Sequence, residues 1–229
     1  MIDSIAPMNT PIVNTAIATE TDTTQTWQDW FEATYLPFHV QACTAVALQN
    51  HTEFVRLQPL LQKRLVTLLQ AITELVATEN LLAVHGLKAT LPSGEAWELE
   101  WMLGTNAVVQ AWNWQYREKD APTDVLSFPT FDSDPLPALA DPAMLAFYET
   151  QKQQGGSLGT IVVSWEYALQ AVTATNPTPE QNDEALIAYL LERFCHGCLH
   201  LLGVHHDTQA AYERVITLQA NALERVKQL

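Results

Sequence analysis

The run His196-Gly197-Cys198-Leu199-His200-Leu201-Leu202-Gly203-Val204-His205-His206 gathers four of the chain's seven histidines, and its spacing prescribes a helix followed by a reversal. On a helix, His196 and His200 share one face with β-carbons about 5–6 Å apart, near enough for two imidazoles to meet one ion at about 2.0–2.1 Å each. Gly203 comes one turn later, where a residue tolerant of positive φ lets the helix stop and the chain fold back. His206 lies three residues beyond that glycine and can return as a third ligand, with His205 beside it as a competitor. Three imidazoles leave a tetrahedral ion one open position, which distinguishes catalytic from structural zinc.

The spacing His-x-x-x-His-x-x-Gly-x-x-His is that of helix-borne zinc hydrolases. One member is missing: Gly197 stands where zinc peptidases carry the Glu that serves as general base, so peptide hydrolysis lacks its proton acceptor. Cys195 and Cys198 also form a C-x-x-C pair. Cys198 is two residues from both His196 and His200 and so points away from their shared face; both thiols read as packing residues. Leu199 occupies the place where haem attachment needs histidine. His39, His51 and His85 have no partner at ligand spacing.

Composition narrows the setting. The 229 residues, 48% hydrophobic and 16% charged, suit one globular domain with an N-terminal extension. Twenty-six acids against 11 Lys plus Arg give a formal charge of −15, which repels polyanions at long range. Arg117 with Lys119, and Arg56 with Lys63 and Arg64, make two small basic clusters rather than the basic stripe of a nonspecific nucleic-acid binder. A nucleic-acid substrate is therefore expected to be held at a point. The three cysteines form no disulfide framework. With no secretory or transit signature and no apolar run long enough for a bilayer, we expect a cytoplasmic protein with neither membrane nor DNA partner.

Residues 1–24 hold six Thr, two Pro and three acids with no basic residue, and are expected to form a flexible tail ahead of a single domain over 25–229. From Thr26 to about Asn50, Trp27, Trp30, Phe31, Tyr35, Phe38 and Val40 suggest a helix interrupted at Pro37. Leu57 to Val76 reads as an amphipathic helix that packs on a sheet. Trp97, Leu99, Trp101 and Leu103 alternate as a half-buried strand, after which Thr105 caps a helix over about 106–116. Val125–Pro129 and Leu158–Ser164 read as two more strands. The long connection at about 132–157, with a short helix around Pro142 to Lys152, is a candidate lid. Thr178-Pro179-Glu180 opens the histidine helix, and a last amphipathic helix spans about Thr208 to Val226. The fold class expected is α+β, a small mixed sheet packed by helices.

A second constellation is Tyr116-Arg117-Glu118-Lys119-Asp120-Ala121-Pro122-Thr123-Asp124-Val125-Leu126-Ser127-Phe128-Pro129. Arg117 offers a planar fork suited to phosphate oxygens, on a loop leading into a strand. Together the two segments resemble the YbeY family, metal-dependent endoribonucleases of ribosomal RNA maturation. That family carries His-Gly-x-Leu-His-Leu-x-Gly-Tyr-Asp-His and Tyr-Arg-Gly-Lys-Asp-x-Pro-Thr-Asp-Val-Leu-Ser-Phe-Pro. The likeness is strongest over 97–228. It departs at Val204 and His205, which replace Tyr-Asp, at Glu118, which replaces Gly, and at Thr160, which replaces Asp in the Leu158-Gly159 strand.

The resemblance implies that His196, His200 and His206 ligate one Zn2+ per chain, with His196 and Arg117 as catalytic residues. It implies a zinc-dependent endoribonuclease for single-stranded ribosomal RNA, acting in rRNA maturation and ribosome quality control, with ribosomal or assembly proteins as further partners. Two other readings stay open. One is a zinc hydrolase of a small substrate; the other is a metal-stabilised ribosome-assembly factor without nuclease chemistry, whose acidic surface meets basic ribosomal proteins.

Overall fold

The computed structural model describes residues 27–35, 37–49, 51–91, 95–131, 146, 150, 152, 154–175 and 178–228. Five strands form one mixed sheet: β1 (Trp27–Tyr35), β2 (Phe38–Ala45), β3 (Trp97–Gly104), β4 (Val125–Pro129) and β5 (Ser157–Ser164), in the spatial order β1-β2-β3-β5-β4. β1 and β4 run antiparallel to their neighbours, whereas β2, β3 and β5 are mutually parallel. The helices that matter for the site are α1 (Thr52–Glu79), α2 (Asn106–Arg117), α3 (Trp165–Thr173), α4 (Pro179–Leu201) and α5 (Gln209–Glu224). This is the expected α+β architecture.

Strand alternation divides the sheet into two faces. Phe38, Val40, Trp97, Leu99, Trp101, Leu103, Ile161 and Val163 point into a large core shared with α1, α3, α4 and α5. Cys43, Met102, Val162, Leu126 and Phe128 point the other way, where α2 covers them with Val109, Trp112 and Tyr116. The cap expected at Thr105 is present, accepting from the Val108 amide, and the structure adds one at Thr208, which accepts from the Ala211 amide. α1 starts earlier than its apolar repeat and packs on α4 and α5 as well as β1. Its Arg56 pairs with Asp183, and its Arg64 with Glu184 at 2.6 Å, so both arginines of that basic cluster fasten α1 to the start of α4.

One expectation is corrected. The expected broken helix from Thr26 to about Asn50 is, over its described residues, the β1–β2 hairpin followed by a single helical turn at Val46–Gln49. The cause is a bulge: the register shifts between Asp29 and Phe31, and an extra residue in one strand breaks the two-residue alternation. Trp27, Trp30, Phe31 and Tyr35 consequently fall at spacings that imitate a helix. Pro37 sits at the reversal, and its carbonyl accepts from the Trp97 amide at 2.7 Å, where pairing with β3 begins.

The proposed tail at 1–24 lies outside the described residues. So does most of the 132–157 connection; of its expected short helix, Ala146, Thr150 and Lys152 are described and are helical. No described helix is long and apolar enough to cross a membrane.

Candidate metal centre

α4 is anchored from Leu186 to its end. Leu186, Ile187, Leu190, Leu191, Phe194, Leu199 and Leu201 are all buried, and Phe194 packs on Trp101 with ring centroids 4.8 Å apart. Gly197 explains how closely the helix lies on the sheet, because a β-carbon there would stand 2.6 Å from a methyl of Ile161 on β5. The position after His196 therefore faces the sheet. A Glu at that place would have to displace Ile161, so the packing of α4 on β5 leaves no room for the peptidase base in this chain.

Beyond Leu201 the helix ends as the glycine predicts. Gly203 adopts φ +74°, its amide donates to the His200 carbonyl at 3.0 Å, and the Val204 amide donates to the Leu199 carbonyl at 2.9 Å. These two bonds satisfy last-turn carbonyls that would otherwise be orphaned. They also turn the chain so that His206 comes back over the end of α4.

The result is a trio. One nitrogen from each of His196, His200 and His206 lies within 4.8 Å of the others, and Nε2 of His196 is 2.9 Å from Nε2 of His200. Tetrahedral bonds of about 2.0–2.1 Å set two ligand nitrogens about 3.3 Å apart, so the pair needs only a few tenths of an ångström to grip an ion. His205 falls outside the trio, its ring stacked 5.5 Å from that of His200. The structure thus brings together the three residues that the spacing and the resemblance single out.

Both inner histidines turn Nε2 toward the shared site, where the two atoms lie 2.9 Å apart. His200 Nδ1 lies 3.1 Å from the Val204 carbonyl, which only accepts, so Nδ1 carries the proton. His196 Nδ1 lies 3.2 Å from Oε1 of Gln219. The Gln219 amide is oriented in turn, because its Nε2 donates to Glu192 at 3.2 Å. Its oxygen must then face His196, which sets that tautomer too. Burial pushes both imidazoles toward the neutral form: His196 is lowered, first by desolvation, and His200 is lowered to about 3 by desolvation and its neighbouring imidazoles. Neutral rings with aligned lone pairs are the state a metal binds.

Sequence reading did not find the groups behind the trio. Arg193 joins Glu192 at 3.0 Å and Asp124 at 3.0 Å, so a polar chain runs from His196 through Gln219, Glu192 and Arg193 to the loop before β4. Glu192, one turn ahead of His196 on the same helix face, is a signal that could have been read. Gln219, 23 residues from His196, had none. The cysteines take no part: Cys195 and Cys198 are buried, and burial raises both thiols, Cys195 to about 12.

Arg117 is the last residue of α2, on the sheet face opposite α4. The loop after it passes round edge strand β4 to the Asp124–Arg193 pair. Glu118, where the family pattern has Gly, holds φ +56°, a left-handed conformation that favours glycine.

A mixed sheet with a histidine trio at the end of a core helix defines a class of α+β proteins suited to holding a metal ion beside a protein edge. Within that class the chain belongs to the YbeY family: residues 61–227 match the family profile described as Endoribonuclease YbeY. Endoribonuclease YbeY of Trichodesmium erythraeum (strain IMS101) is 30% identical over 141 residues, covering 61% of this chain and 68% of that protein. The protein of the same name from Picosynechococcus sp. (strain PCC 7002) is 33% identical over 144 residues, 62% and 76% of the two chains. That of Moorella thermoacetica is 36% identical over 140 residues, 60% and 77%.

Proposed function

We propose that this chain is a zinc-dependent endoribonuclease that cuts single-stranded ribosomal RNA in the cytoplasm, in rRNA maturation and ribosome quality control. The observation that carries the reading is the pair of inner histidines held as neutral rings with Nε2 converging beside His206. The endoribonuclease names of its relatives supply the reaction class. Three imidazoles and no thiolate suit zinc, though nickel and other borderline ions share that preference.

When bound, zinc supplies Lewis acidity toward a phosphodiester oxygen or its attacking nucleophile. His196 and His200 position it from a rigid helix, and His206 completes the set from the reversal. The role we assign Arg117, which stands on the other face of the sheet, is to offset phosphate charge where the RNA passes the β4 edge. The formal charge of −15 works against RNA at long range, so binding is local and strongly salt-dependent.

The test is cleavage of a single-stranded RNA oligonucleotide by wild type, His196→Ala and Arg117→Ala, with elemental analysis of each. We expect one zinc per wild-type chain, loss of zinc and cleavage in His196→Ala, and zinc without cleavage in Arg117→Ala. Undiminished cleavage by either variant removes its assigned role. Product ends identify the nucleophile, since attack by the neighbouring 2′-hydroxyl leaves a cyclic phosphate and attack by water does not. The assembly-factor reading requires the metal for folding. The apolar anchoring of α4 favours the opposite, a far-ultraviolet circular dichroism spectrum that survives chelation.

A further inference from the structure

Tyr212 and Ile216 are 49% and 43% exposed, unusual for large apolar side chains in this protein. One turn apart on α5, they share a face. The Tyr212 ring stands 6.1 Å from that of His206 at 81°, so the track begins against the metal centre. It continues past Ile216 into a cleft of about 310 Å³ between α1, α4 and α5, walled by Leu191, Ala220 and Leu223, with Gln219 and Glu192 as polar lining and Lys227 and the Glu184-paired Arg64 beside them. Lys227 is paired only loosely, with Glu224 at 3.6 Å and both side chains largely exposed, an ion pair that a phosphate can displace at little cost. In a chain so acidic, an apolar path that leads from the histidines to a loosely paired lysine is a specific placement.

Every nucleobase has a π-face, and stacking on an aromatic ring binds bases with little regard to sequence. A base inside a duplex has no free face to offer, so such a platform selects single strands. We propose that Tyr212 and Ile216 form a stacking platform for the unpaired base flanking the phosphate at the histidines, with the cleft receiving the next base. This rests on the RNA-cleaving reading above.

The experiment uses metal-loaded protein and a 2′-O-methyl single strand carrying one 2-aminopurine, whose fluorescence falls when it stacks. Wild type should quench it on binding. Tyr212→Ala should bind about tenfold more weakly and quench little, while Tyr212→Phe keeps both properties because stacking does not use the hydroxyl. Ile216→Glu should weaken binding comparably, and Val55→Glu, the same change at another exposed apolar position, should not. On cleavable RNA, Tyr212→Ala should raise KM and leave kcat nearly unchanged. Tyr212→Ala with wild-type binding and quenching overturns the platform, even where wild type cleaves RNA. Quenching that depends on Tyr212 in a protein that cleaves no RNA supports the platform and removes the nuclease reading instead.

Discussion

The two faces of the sheet are dressed very differently. Four helices cover the inner face, and an aromatic succession runs through it: Trp30 to Trp101 at 5.6 Å between centroids, then Trp101 to Phe194 at 4.8 Å. The outer face carries α2 over one end, where Trp112 and Tyr116 meet the Phe128 ring at 5.8 and 5.0 Å. Beyond it that face turns polar, with Gln41 and Glu98 exposed and Glu100 accepting from Thr160 at 3.0 Å. Burial holds the Glu100 carboxyl above its ordinary range. The histidines stand on the heavily packed side and Arg117 on the lightly packed one. Edge strand β4 and the Asp124–Arg193 pair are where the two sides meet. Metal retention and phosphate contact should therefore respond to different mutations.

The sharpest break is His200→Ala. Removing a ligand should cost more zinc affinity than the roughly 10–100-fold that outer partners are worth, as read by competition with a chromophoric chelator. Gln219→Leu, which deletes the acceptor that orients His196, should fall within that roughly 10–100-fold range and leave the melting temperature nearly unchanged. Gly197→Ala tests the packed side itself. Its β-carbon would meet Ile161 at 2.6 Å, and overpacking of this kind lowers stability by about 1–3 kcal/mol, measurable by urea denaturation.

Acid should act on the packed side as well. The ordinary histidine value is 6.5 and that of folded His200 about 3, so between them the unfolded chain binds a proton that the folded one refuses. The sign follows: metal-free protein should be less stable at about pH 5.5 than at about pH 7.5, and His200→Asn should flatten that slope. The smallest effect belongs to the outer side. Glu118→Gly relieves a left-handed residue and should stabilise the fold by about 1 kcal/mol without altering zinc content.

Most of the architecture was legible because it depends on local chemistry. Alternation at Trp97–Leu103, the threes and fours of Leu61–Leu75 and the cap Thr105 each declare themselves within a few residues. The β1–β2 hairpin did not, since its bulge is a property of pairing with a partner strand, and the sequence of one strand does not display it. The site divides the same way. His196, His200 and the Gly203 reversal are written into eleven residues of chain, whereas the choice of His206 over His205 came with the family resemblance. Gln219 reaches His196 only because α5 folds back along α4. No spacing within either helix announces that contact.

The acceptor for His200 is a main-chain carbonyl, and residue 204 supplies it whatever side chain it carries. Natural variation at that position is thus free to proceed without disturbing the ring it steadies, which fits a chain that bears Val204 where the family motif quoted above has tyrosine. His196 has no such insurance: a single codon change at 219 removes its support. Evolutionary drift in this centre should accordingly fall unevenly, lax along the turn and strict on the neighbouring helix.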